Sequence, residues 1–210
     1  MYYYNLKLII NITLSRKRNN TQTMKNFRNY TLIALTAISL AACSSDDDGT
    51  IPEIINEEEI ITTVSLTLTS GTDTIVLTSQ DLDGDGPNAP IVTVSGDLDV
   101  STVYNGSIEF LNETESPAED ITEEVVEESD EHQVFYTPST GLDAAVTYED
   151  FDGNGNPLGT QVTLTTGATA GSGTLTITLR HEPTKPNDGT LGNAGGETDV
   201  QVSFPVAITE

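Results

Sequence analysis

The chain of 210 residues contains no tryptophan, a single cysteine and two histidines. One cysteine cannot close an intrachain disulfide, so the fold has to rest on its apolar core. No G-x-S-x-G elbow occurs, and no spacing singles out a pair among the many carboxylates. No motif therefore marks out nucleophilic or acid–base chemistry, a carboxylate pair facing one cleft being the alternative, and the expectation is a non-enzymatic protein. Basic residues are scarce as well: eight Lys and Arg stand against 33 Asp and Glu, a formal net charge of −25. A field of that sign disfavours nucleic acid and anionic lipid as partners and favours cations.

The few basic residues are not spread evenly. Lys7, Arg16, Lys17, Arg18, Lys25 and Arg28 all precede the first acidic residue, Asp46. An apolar run over 30–40 follows them and ends in Leu40-Ala41-Ala42-Cys43. A basic region, a short apolar region and small residues before a break form a secretory signal peptide; a membrane span needs about 20 apolar residues. Leu40-Ala41-Ala42-Cys43 resembles the lipobox of bacterial lipoproteins. That resemblance implies cleavage before Cys43 and acylation of its thiol, the alternative being a plain signal peptide with an incidental cysteine. Each buried methylene of such an acyl chain contributes about 0.8 kcal/mol of membrane affinity.

Met24 is a better start than Met1, because Met24-Lys25-Asn26-Phe27-Arg28 leads directly into the apolar run. Residues 1–23 then read as an upstream extension from a misplaced start, or as an unusually long basic region. The signal peptide covers 24–42, a lipidated acidic tether 43–58, and one β-sandwich domain 59–210. The run Ser44-Ser45-Asp46-Asp47-Asp48 resembles the export signal of surface lipoproteins in Bacteroidetes-type bacteria. It implies an outer-membrane anchor facing the cell exterior; an ordinary solvated tether on the periplasmic face is the alternative.

Beyond the tether the hydrophobic period is close to two. Val64, Leu66 and Leu68 alternate with hydroxylated residues, as do Leu175, Ile177 and Leu179; Val200, Val202, Phe204, Val206 and Ile208 alternate with Asp199, Gln201, Ser203, Pro205 and Ala207. Such alternation marks half-buried strands. Weaker strands are expected at 74–78, 91–95, 107–111, 133–136, 145–148 and 161–165, with Gly, Asp, Asn and Pro between them. About eight or nine short strands predict an all-β, immunoglobulin-like antiparallel β-sandwich. Pro205 cannot donate to a ladder, so the last strand should lie at an edge or carry a bulge. One segment departs from the period. Ser116-Pro117-Ala118-Glu119 has the shape of a capping box, and Ile121 and Val125 fall four apart, which predicts one short acidic helix or crossover over 117–128. The stretch 183–197 is a loop of unusual length, of the kind that is functional or disordered.

Three groups of residues can hold cations. Asp81, Asp83 and Asp85 have the D-x-D-x-D-G form of a calcium loop, and Asp150, Asp152 and Asn154 repeat it with Asn. Oxygen donors at alternating positions can wrap a hard ion, but the twelfth position of the full pattern, a Glu, is Val92 in one and Gln161 in the other. Two strand-connecting turns are the alternative. His132 and His181 each adjoin an acid and by parity lie inward or at the rim of strand ends. If those ends meet, two imidazoles and a carboxylate can hold zinc or copper; otherwise neighbouring carboxylates or solvent satisfy them. Arg180 and Lys185, the only basic residues of the domain, are expected to dock on the Glu-rich segment 119–131, with receipt of an anion as the alternative.

The Cys-Ser-Ser-Asp-Asp-Asp start, the stretch 81–90, Glu131-His132-Gln133 and Leu179-Arg180-His181-Glu182-Pro183 resemble small flavobacterial (Bacteroidetes-type) surface lipoproteins of unknown function. Such sequences sometimes carry the label of a type 1 periplasmic binding fold. That fold is α/β with many long helices, and the periodicity here allows at most one. The resemblance implies no activity. The expected function is a non-enzymatic module, held to the membrane by its N-terminal lipid, that binds an extracellular ligand or an outer-membrane receptor. A Ca2+-stabilised structural or adhesion domain and a His-dependent transition-metal binder are the alternatives.

Overall fold

Residues whose side chains alternate between apolar and hydroxylated build strands with one dry and one wet face. In β1 (Thr63–Ser70) Val64, Leu66 and Leu68 are fully buried while Ser65, Thr67 and Thr69 are not. A two-residue turn, Gly71–Thr72, returns the chain into β2 (Asp73–Gln80). Gly71 has a φ of 62°, the left-handed first position that a primed hairpin turn asks of glycine. The computed structural model describes residues 59–84 and 86–210; the signal-peptide, tether and Cys43 lipidation assignments, and Asp85, lie outside them.

The remaining elements are β3 (Ile91–Val94), β4 (Leu98–Asp99), β5 (Val103–Asn112), β6 (Glu119–Asp120), α1 (Ile121–Glu127), β7 (His132–Pro138), β8 (Ala144–Tyr148), β9 (Gln161–Thr166), β10 (Gly171–His181), α2 (Leu191–Ala194) and β11 (Glu197–Thr209). One sheet runs β3-β2-β1-β5-β9-β8, with β6 added beside β5; the other runs β4-β11-β10-β7. All ladders are antiparallel except β11 with β4, a short parallel pair. The inner faces meet in one core, where Leu66, Leu68, Leu77 and Phe110 of the first sheet face Leu175, Ile177, Leu179 and Phe204 of the second. The all-β sandwich expected from the alternation is the fold observed. Among the described residues, no helix is long and apolar enough to cross a membrane.

One local expectation is corrected and another is met. The helix begins at Ile121, four residues after the expected start at 117. The Ser116–Pro117 peptide is cis and belongs to a turn, Glu119 and Asp120 pair with β5, and Asp120 rather than Ser116 caps the helix, accepting from Thr122 N at 3.0 Å. Ile121 and Val125 are buried on its inner face, and this packing holds an acidic helix whose own charges oppose it. The strand containing Pro205 has β10 on one side, and β4 reaches only Ile208 and Thr209 on the other. The proline therefore costs no ladder bond, as an edge position requires.

The outer edge of β7 is covered by the 149–160 loop. Val134 N donates to Leu158 O at 2.7 Å, Tyr148 Oη to Val134 O at 3.0 Å and Tyr136 Oη to Gly159 O at 2.8 Å. These bonds protect a strand edge that otherwise invites pairing, and they fix the end of β7 from which the functional side chains project.

Candidate metal centre

In β7, His132 shares the inward face with Val134; in β10, His181 shares it with Leu179. The register sets His132 and His181 opposite one another on the last rung of their ladder. The rings meet edge to face with centroids 4.7 Å apart, and His181 Nδ1 lies 3.0 Å from His132 Nε2. His132 Nδ1 lies 3.3 Å from the Glu128 carbonyl. With its Nδ1–H given to that carbonyl, His132 turns an Nε2 lone pair into the interior, the arrangement that fixes a metal-binding tautomer. His132 is wholly buried. Burial, and then the neighbouring His181 ring, hold the imidazole below its usual pKa, so it is the neutral ligand form at neutral pH.

Two carboxylates complete the cluster. Asp199 comes from a β-bulge. Leu179 pairs with Val200 and Arg180 with Thr198, so Asp199 is the unmatched extra residue of β11. In an unbroken strand it would sit opposite Arg180 on the wet face. The bulge shifts the parity of the chain and re-aims the side chain, leaving Asp199 Oδ2 3.9 Å from His132 Nε2 and its side chain only 6 % exposed. Gly196, at φ 70°, lets the preceding loop pass over the end of β10, where a Cβ would collide with the His181 carbonyl. Glu59 stands just before β1, with Oε1 3.5 Å from His132 Nε2. Its Oε2 is buried and has no hydrogen-bond partner among the described residues. Burial, then the charges of Asp199, Glu124 and Glu128, push the Glu59 carboxyl up to about 7.

Glu59 Oε1 and Asp199 Oδ2 both approach His132 Nε2, and the buried Glu59 Oε2, without a hydrogen-bond partner among the described residues, is a costly acceptor. One ligand atom each from His132, His181 and Asp199 lies within 4.8 Å of the others, as does one each from Glu59, Glu128 and His132, and from Glu131, His181 and Glu182. The expected meeting of the two histidine-bearing strand ends is thus present in the geometry. The two carboxylates carried no signal in the sequence: Asp199 follows the wet positions of its strand, and Glu59 is only the first residue beyond the acidic tether.

The two Asp loops are built differently. Asp150 accepts from Gly159 N at 2.8 Å and Thr160 N at 3.0 Å. Asp152 accepts from Asn154 N at 2.9 Å, Asn156 N at 2.8 Å and Asn156 Nδ2 at 2.9 Å. Burial alone would push the Asp152 carboxyl up. The Asn156 side chain, the Asn156 and Asn154 amides and the Lys185 ammonium overcome it and hold the group at about 2. These carboxylates face the N–H donors of their own turn, and Asn154 is exposed. In the first loop Asp83 Oδ2 accepts from Asn88 Nδ2 at 2.7 Å, while Asp81 Oδ1 is buried without a partner among the described residues.

Of the two basic residues expected to dock on the 119–131 segment, Lys185 does so through a main-chain oxygen, and Arg180 does not. Lys185 Nζ donates to the main-chain oxygens of Ser129 at 2.5 Å and His132 at 2.6 Å and lies 3.5 Å from Asp152. Arg180 Nη1 turns to Thr198 Oγ1 at 2.7 Å. The 183–197 loop is folded back on the sandwich: Asn187 Nδ2 donates to Gln133 Oε1 at 2.8 Å, and Ala194 is buried. No protein-family model matches the chain, and comparison with curated proteins and with solved structures gives no match.

Proposed function

We propose that this protein is an exported, lipid-anchored β-sandwich that binds one zinc-class ion through His132, His181, Asp199 and Glu59. The observation that carries the reading is the convergence on His132 Nε2, with donors at 3.0, 3.5 and 3.9 Å. Donors bound to zinc at about 2.0–2.1 Å in a tetrahedron stand roughly 3.3 Å apart, so small side-chain movements suffice to close the shell.

The chemistry of the donors narrows the ion. Methionine occurs only at positions 1 and 24 and cysteine only at 43, so the domain offers no soft sulfur ligand and disfavours Cu(I). Two imidazoles and two carboxylates suit zinc, with Cu(II) as a competitor. Four protein donors leave no open position for a substrate, which is the pattern of structural zinc rather than catalytic zinc. The reading is therefore non-enzymatic. The anchor rests on the lipobox at Cys43, and a membrane surface is its one implied partner.

Dialysis of the purified protein against zinc, followed by elemental analysis, tests the reading. One equivalent is expected in the native protein and none in His132→Ala or His181→Ala; an equivalent retained in both variants would overturn it. A second reading, calcium at the 81–88 loop, is favoured by the buried Asp81 Oδ1. It requires a melting temperature that rises with calcium and falls in chelator, and a curve indifferent to both removes it.

A further inference from the structure

The histidine pair is shared by more than one group of donors. The β7–β10 ladder carries one bond past it: Glu182 N donates to Glu131 O at 2.6 Å. Glu131 and Glu182 therefore stand side by side just outside the buried centre. Both are exposed, His181 is 9 % exposed, and one ligand atom from each of the three lies within 4.8 Å of the others. Neither glutamate forms an ion pair among the described residues. Like charges set next to each other on a ladder are unfavourable. Glu182 also holds a left-handed φ of 47°, a conformation that residues with a side chain rarely adopt. A repulsive and strained pair is thus kept at the mouth of a cation-seeking interior.

A closed, four-donor centre presents an ion with a kinetic difficulty. Water ligands must be replaced one at a time as the protein donors close on it. Here His181 belongs both to the exposed group with Glu131 and Glu182 and to the buried group with His132 and Asp199. We infer that Glu131 and Glu182, with His181, form an outer station that captures the ion from solvent, and that His181 hands it to the buried donors. This inference rests on the metal reading above. The station concentrates cations by its charge, supplies oxygen donors while the ion sheds water, and keeps at least one protein ligand bound throughout the transfer.

The test is the kinetics of zinc uptake by the purified protein, and of zinc release to a chromophoric chelator, in the native protein and in the double variant Glu131→Gln/Glu182→Gln. Both rates should fall at least tenfold while the equilibrium Kd stays within threefold, because the station lies on the path and not at its end. A charge-matched control, Glu123→Gln/Glu127→Gln on the exposed face of α1, should change either rate less than twofold. Unchanged rates in the Glu131/Glu182 variant would overturn the station and leave the buried centre standing, as would equal slowing in the control. A Kd weakened tenfold at an unchanged uptake rate would also overturn it, by making the two glutamates ligands of the final site. Failure of the native protein to bind zinc at all would instead remove the underlying reading.

Discussion

His132 and His181 occupy the same rung of the β7–β10 ladder, with Nε2 of the first 3.0 Å from Nδ1 of the second. An ion held between strand ends binds the folded state and not the unfolded one, so it stabilises by mass action. Free zinc at about 100 times Kd adds about 2.7 kcal/mol, which for a domain of this size is a rise of roughly 5–10 °C in Tm. His132→Ala should abolish that rise. Calorimetry with and without zinc measures it, and an equal rise in the variant would place the ion elsewhere.

Asp199 reaches the centre only because the ladder slips by one residue between Leu179 and Arg180. Asp199→Ala should weaken zinc binding at least tenfold with little change in fold. Deleting Asp199 restores an unbroken ladder, leaves no carboxylate at the bulge and should give a comparable loss. Competition titration against a chelator of known affinity decides; native affinity in the deletion variant would show that the bulge does not serve the site.

Asp152 organises the turn that covers the edge of β7, and its carboxyl is held at about 2 against an ordinary 3.8. A group depressed on folding contributes stability that is full above its unfolded pKa and is lost as pH falls through its folded pKa. The window here runs from about pH 4 down to about pH 2. Asp152→Asn should cost about 2 kcal/mol at pH 7, and the difference from the native protein should shrink across that window. Urea unfolding at pH 7, 4 and 2.5 checks this, and a pH-independent difference would contradict it.

Phe204 lies wholly buried where β11 meets the first sheet. Phe204→Ala should cost about 3–5 kcal/mol, the range for emptying an aromatic site in a core. A loss under 1 kcal/mol in urea unfolding would contradict the packing of the two sheets on one another.

The sandwich was legible because alternation reports directly which side of a strand is dry: Leu66, Ile177 and Phe204 face inward where the pattern puts them. The inward placement of both histidines was legible from the same parity. Their pairing was not, because register between strands 49 residues apart is set by the whole core and not by either segment. Asp199 was hidden for a sharper reason. A bulge inverts the meaning of parity, and nothing local to Thr198-Asp199-Val200 announces one. Ser116-Pro117-Ala118-Glu119 imitates a cap four residues ahead of the helix, whereas Asp120 beside Thr122 supplies the bond actually made. In the Asp150 loop, the turn's own amides take the carboxylates that its spacing offered to calcium.

A crystal structure of the zinc-treated protein, with diffraction collected above and below the zinc absorption edge, places or refuses the ion outright. The expected result is one anomalous peak about 2.0–2.1 Å from both His132 Nε2 and His181 Nδ1, with Asp199 and Glu59 completing the shell. The contradicting result is no peak there, with the two ring nitrogens still in direct contact at hydrogen-bond distance.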